Sequence, residues 1–198
     1  MMLAGSGQPY DIDIMGWQGT LRPRFMMEEE DWRDRSVFTT KAKDIQSVSV
    51  EYFNEKTKHH SFKIDLNDKG EYAIAPLHTA NKETKTLGQP VKGKILHYLK
   101  GYEATVAENF INTFSKRDSI IQTIPFCQIK LTDKKGKIKD VKLFPIPVEI
   151  ETSANDGQLL RKEVERYHAS IDDDADFMLV QHRVFYKLFP PYDYFFVE

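Results

Sequence analysis

The sequence predicts an α+β domain, mostly antiparallel β-sheet with one or two helices packed on one face. Three observations predict it. Apolar and polar residues alternate along much of the chain, the period of a half-buried strand. Two strand-like runs are each followed by a charged turn carrying a glycine and then by a returning run. One stretch after Pro90 places its apolar residues at helical spacing instead.

Tyr10-Asp11-Ile12-Asp13-Ile14 alternates polar and apolar. Ser47 to Tyr52 does the same, with Val48 and Val50 on one face. Ser61 to Leu66 groups Phe62, Ile64 and Leu66, Asn67-Asp68-Lys69-Gly70 supplies turn residues, and Glu71 to Ile74 returns. A second hairpin runs from Cys127 to Leu131, turns at Asp133 to Gly136, and returns through Val141 to Phe144. Pro145 and Pro147 should end it, because proline has no N–H to give to a ladder. A third pairing joins Glu165–Ser170 with Phe177–Tyr186 across the acidic turn at Asp172 to Asp176.

In the helical stretch, Val91, Ile95, Leu99 and Tyr102 fall four, four and three residues apart. Gly101 decides where the helix ends. As a C-terminal cap it stops the helix and leaves Glu103 to Val106 as a short strand. As an interior glycine it allows one long helix through Val106, Phe110 and Phe114, at a cost of about 1 kcal/mol. β-branched Thr105 and Val106 favour the cap. The two ends of the chain also resemble each other: strand, turn, strand, then Leu21-Arg22-Pro23 or Leu188-Phe189-Pro190. A partial tandem repeat is one reading, and chance likeness of two proline-terminated hairpins is the other.

Composition sets bounds. With 198 residues, 40% hydrophobic and 29% charged, the chain can bury a core without disulfides or metal. Lys plus Arg number 28 against 30 Asp plus Glu, a net charge of -2, which argues against a general nucleic-acid binder. Cys127 is the single cysteine, so neither an internal disulfide nor a cysteine zinc site can form within the chain. No apolar run approaches the ~18 residues of a membrane span, and the N-terminus has no signal-peptide pattern.

The block from Phe25 to Val50 is the most distinctive: an acidic run, then Asp31-Trp32-Arg33-Asp34-Arg35, Val37-Phe38, and the strand opening at Ile45. With it go Met1-Met2-Leu3, Gln8-Pro9-Tyr10, Gly16, Gly19-Thr20-Leu21, Pro125-Phe126 before Thr132 to Gly136, and Leu179-Val180-Gln181 with Val184-Phe185. In order and spacing these pieces resemble the C-terminal portion of a bacterial family called domain of unknown function 4340. The resemblance implies tandem β-rich units behind an N-terminal membrane anchor, on the periplasmic or extracytoplasmic face of the inner membrane. It further implies a protein partner in the cell envelope, of the kind found in transport-type membrane complexes. By it, residues 1–25 are the C-terminal hairpin of an incomplete preceding unit, residues 26–198 are the main domain, and the anchor lies outside this chain. It brings no catalytic residues.

The candidate interaction surface is Trp32, Arg33, Arg35, Tyr192 and Tyr194. Tryptophan and arginine dominate many protein contacts, and arginine can clamp a carboxylate with two bonds. Against this, Trp32 suits an internal anchor plugging one edge of the core, and that is the expectation here. The aromatic run Phe185-Tyr186, Phe189, Tyr192, Tyr194-Phe195-Phe196 is expected to be core; any part left exposed would mark a binding surface. Cys127 should be a buried, inert thiol. Asp172, Asp174 and Asp176 open like a calcium loop, but Phe177 and Arg183 stand where glycine and glutamate are needed. His59-His60 precede a strand, where neighbours point to opposite faces, and no other histidine pair has ligand spacing. No nucleophile elbow, phosphate loop or dinucleotide motif occurs, so no cofactor is implied. Lys130, Lys134, Lys135, Lys137, Lys139 and Lys142 make a basic hairpin, expected to be a solvated sheet edge. These residues point to a non-enzymatic interaction or scaffold domain. The alternative is a module binding an envelope glycan or small molecule through aromatics. A hydrolase with an unrecognised carboxylate pair is the third reading.

Overall fold

The structure is a computed structural model that describes residues 5, 7, 32–78, 88–150 and 161–196, with the backbone alone at 148–150 and 161–163. The chain divides into two compact units, Met1–Arg33 and Asp34–Glu198. The division falls eight residues beyond the position 25/26 boundary expected from sequence. The strands expected between Tyr10 and Phe25, and with them the repeat, lie outside the described residues.

The second unit is built on an eight-stranded sheet. Its strands are β2 (Ile45–Tyr52), β3 (Phe62–Leu66), β4 (Tyr72–Pro76), β6 (Asn109–Phe110), β7 (Cys127–Asp133), β8 (Ile138–Ile150), β9 (Arg161–Ile171) and β10 (Asp176–Gln181). The spatial order is β4-β3-β2-β7-β8-β9-β10-β6, and the pairings are antiparallel throughout. Two meanders, β2-β3-β4 and β7-β8-β9-β10, are thus sewn together along β2 and β7. A short separate ribbon joins β1 (Ser36–Phe38) to β5 (Thr105–Val106). This is the mostly antiparallel α+β architecture that the alternation predicts.

The expected hairpins form where expected. Gly70 and Gly136 take φ of +74° and +81° in their turns, a region L-residues avoid. In the β9–β10 turn Asp172, Asp173 and Asp174 also have positive φ. Aspartate tolerates this conformation because its short side chain can bond locally. Asp172 Oδ1 accepts the backbone N–H of Asp140 at 3.0 Å, and Ser170 donates its hydroxyl to Asp174. β10 ends at Gln181, and Tyr186, expected in its strand, begins a 3-10 helix instead.

One face of the sheet carries the main core. Val48, Val50, Phe62, Ile64, Cys127, Ile129, Leu131, Val141, Leu143, Ala169 and Val180 are all buried there. Helix α1 (Lys92–Lys100) packs on this face through Ile95, Tyr98 and Leu99. The C-terminal tail joins it: Phe62 meets Tyr98 at 5.6 Å and Phe195 at 5.0 Å, both edge to face. Burying side chains of this size stabilises by about 1.5–3 kcal/mol each.

A second short helix, α2 (Arg117–Ile121), lies in a segment over the other face. Phe144 and Phe177 are buried beneath that segment. Ile111 N–H donates to Phe177 C=O at 2.8 Å, and Phe114 stacks on His168, which stacks in turn on Phe177. A third helix, α3 (His182–Phe185), follows β10 directly.

The prolines do not end β8. Pro145 pairs with Tyr167 and Pro147 with Val164, the latter after a register shift. Phe126 N–H donates to Leu143 C=O at 2.7 Å, and Cys127–Leu143 is the terminal β7–β8 pair. Alternate residues of a strand direct their backbone groups to the same side. Pro145 therefore turns its ring nitrogen to the side where β7 has stopped, and Pro147 sits at an irregularity, both tolerated places for proline. Nor is the lysine-rich hairpin an edge: β7 and β8 are interior strands. Its lysines are partly matched by acids, with Lys130–Asp140 at 3.5 Å and Lys139–Asp172 at 2.8 Å. Among the described residues no helix is long and apolar enough to cross a membrane.

Candidate functional site

Gly101 ends α1, as the capped alternative required, but for a reason sequence did not supply. Its φ is -57°, an ordinary helical value. A Cβ at Gly101 would stand 2.9 Å from the carbonyl oxygen of Tyr98 and 3.1 Å from Leu188 Cδ2. The residue must be small so that the end of α1 can lie against the 3-10 helix Tyr186–Leu188. Thr105 then donates its hydroxyl to the Gly101 carbonyl at 2.8 Å, satisfying a helix-end acceptor, and the chain enters β5.

That close approach makes one wall of a cleft of about 460 Å³. It is lined by His97, Tyr98, Lys100, Gly101, Tyr186, Lys187, Pro190 and Tyr194. Tyr98 forms part of the lining with its hydroxyl already engaged, 2.5 Å from the hydroxyl of Tyr102 and 3.4 Å from the carbonyl of Leu188. Burial holds that phenol well above the usual tyrosine range, and the neighbouring Tyr102 adds to it. Tyr186 is 59% exposed. Tyr194 is held by Lys94, whose ammonium lies 5.0 Å from the ring centre and 3.3 Å from the Tyr194 carbonyl.

A second surface lies where the β8–β9 ribbon leaves the sheet. The last β7 partner of β8 is at Leu143 and the last β10 partner of β9 at Arg166, while β8 and β9 stay paired to Ile150 and Arg161. At the base, Ile120, Thr123, Ile124, Phe144, Pro145, Ile146, Pro147 and His168 line a hollow of about 420 Å³. Ile124 is 78% exposed. Beside the other end of β10, Arg166 clamps Glu108 with bonds of 2.8 and 3.3 Å, and the guanidinium holds that carboxyl below its usual range.

The expected site residues are dispersed. Trp32 is 63% exposed, so the internal-anchor expectation is overturned. It and Arg33 belong to the first unit, and both are exposed. Arg35, in the second unit, donates to the Glu108 carbonyl at 2.6 Å and does not line the tyrosine cleft. Tyr194 lines that cleft, whereas Tyr192 is half-buried against Phe196 at 4.9 Å. The aromatic tail splits: Phe185 and Phe195 are core, and Tyr186 and Tyr194 face the cleft. His97, Lys100, Tyr186 and Lys187 were not expected as site residues from sequence. The signal available was Gly101 and, far along the chain, the single Lys187 inside the aromatic run from Phe185 to Phe196.

Cys127 is fully buried, and burial pushes its thiol well above the usual range. His59 and His60 sit not on a strand but at the end of a 3-10 turn, with ring centres 4.0 Å apart. Among the described residues no group of three or more His, Cys, Asp or Glu is placed to hold a metal ion. Comparison with family models, curated proteins and solved structures finds no match for this chain.

Proposed function

We propose that this chain is a non-catalytic interaction domain of a membrane-anchored bacterial envelope protein. It works on the extracytoplasmic side and contacts a protein partner, of the kind found in transport-type membrane complexes. The compartment rests on the family resemblance of the Asp31–Arg35 block and its companions. The partner rests on one observation, the exposed apolar base of the β8–β9 ribbon around Ile124, Pro145 and Pro147. Apolar surface gathered beside a projecting ribbon is what a partner would cover.

The test is a photo-crosslinking residue at position 124 in the membrane-anchored protein, with one at Asp68 as control. Asp68 lies in the exposed β3–β4 turn. A discrete protein adduct from position 124 and none from position 68 supports the proposal. Equal patterns, or no adduct from position 124, would sink it. A second reading, recognition of an envelope glycan or small molecule through aromatics, is favoured by the cleft that Tyr186 and Tyr194 line.

A further inference from the structure

The tyrosine-lined cleft has an uneven charge. Among the described residues, its lining carries the basic side chains His97, Lys100 and Lys187 and no carboxylate. Helix electrostatics explain Lys100, since a cation near a helix C-terminus is favoured by the dipole. They do not explain Lys187, which comes from a different element some ninety positions along the chain. It reaches the same wall only because Gly101 permits contact with the 3-10 helix: the Gly101 Cβ position lies 3.8 Å from Lys187 Cδ.

The rest of the cleft suits a ring. Tyr98 contributes a phenol whose hydroxyl is already bonded inside the core. Tyr194 is fixed by Lys94 and by the edge of Phe195 at 5.2 Å. Tyr186 tilts against His182 at 6.1 Å. Tyrosine offers a flat apolar face with a polar rim, and the volume lies within the range of small-molecule sites. Aromatic walls and the two lysine charges together select a small ligand that is both cyclic and anionic.

We propose that the cleft binds a small acidic saccharide, a sugar acid or sugar phosphate, with its charge between Lys100, Lys187 and His97 and its ring against Tyr186 and Tyr194. This rests on the aromatic-recognition reading above and names its ligand class. The phosphate and carboxylate forms share the chemistry, and separate titrations distinguish them.

The experiment is an NMR titration of amide shifts in the whole chain with five probes: glucose 6-phosphate, glucuronate, glucose, inorganic phosphate and AMP. At least one charged sugar should give saturable shifts at Lys100, Tyr186, Lys187 and Tyr194. It should bind at least about tenfold more tightly than glucose or phosphate alone, the factor that about 1.4 kcal/mol of charge recognition supplies. The double variant Lys100→Ala, Lys187→Ala should lose that factor while keeping a dispersed spectrum, because both side chains are exposed. Glucose binding as tightly as the charged sugars would overturn the acidic class and leave aromatic recognition standing. No shifts at the cleft with any probe would overturn both. Inorganic phosphate matching glucose 6-phosphate, or AMP exceeding it, would overturn the saccharide assignment.

Discussion

Gly101 and Leu188 touch where a side chain on the first would collide with the second: the missing Cβ would lie 3.1 Å from Leu188 Cδ2. This contact locks α1 to the C-terminal tail and sets the width of the tyrosine cleft. Gly101→Ala should therefore destabilise by about 1–3 kcal/mol, the usual cost of overpacking, although alanine is the better helix former. Urea unfolding measures it. An unchanged or raised midpoint would show that the contact is loose.

Phe195 sits fully buried near the end of the chain, between Phe62 at 5.0 Å and Tyr98 at 5.3 Å. The Phe195 carbonyl also accepts the N–H of Val91 at 2.8 Å, at the start of α1. Phe195→Ala should cost about 3–5 kcal/mol, as for other core aromatics. A loss below about 1 kcal/mol, read from denaturant midpoints, would mean that the tail is an accessory rather than part of the core.

Trp32 is exposed, so Trp32→Ala should change stability by no more than about 0.5 kcal/mol. In a Trp17→Phe background its fluorescence should have the red-shifted maximum of an indole in water. Blue-shifted emission would contradict the exposure and restore the anchor expectation.

His168 lies between two rings, Phe114 at 5.4 Å and Phe177 at 5.5 Å. Burial there disfavours the imidazolium and lowers its pKa from the ordinary value of 6.5. The unfolded chain then binds the proton more readily than the folded one. The contribution to stability is fully present above the unfolded pKa and declines as pH falls through it, levelling off below the folded value. Wild-type stability should drop between about pH 7 and pH 5 by more than that of His168→Phe, which has no proton to bind there. Parallel pH profiles of the two proteins would remove His168 as the cause.

Pro145 faces the side of β8 that β7 has vacated. Pro145→Ala should cost no more than about 1 kcal/mol, mostly through the freer unfolded chain. It should also raise self-association slightly, because a strand edge gains a free N–H donor. Thermal melts and light scattering together test both halves; a loss of several kcal/mol would place Pro145 in a packed interior.

Hairpins and the main helix were legible in the sequence because their causes are local. Asn67 to Gly70 and Asp133 to Gly136 dictate turns, and the alternation on either side of each dictates which residues face the core. Ile95 and Leu99 declare a helix face within a turn of chain, and Tyr102, next in the same series, lies just past the helix end. Even the stop at Gly101 could be read, though not its reason. What could not be read were facts fixed by residues distant in sequence. Whether the lysine hairpin was an edge depended on β2 and β9 flanking it, and whether Pro145 ended a strand depended on where β7 stopped. Trp32 had the residue type of an anchor and the position of an exposed side chain. The cleft joins His97 and Lys100 on one helix to Tyr186, Lys187 and Tyr194 on the tail, and no local pattern connects them. Local conformational preference acts over a few residues, whereas burial and site geometry are set by the contacts that close the sheet and dock the tail. Those belong to the tertiary structure alone.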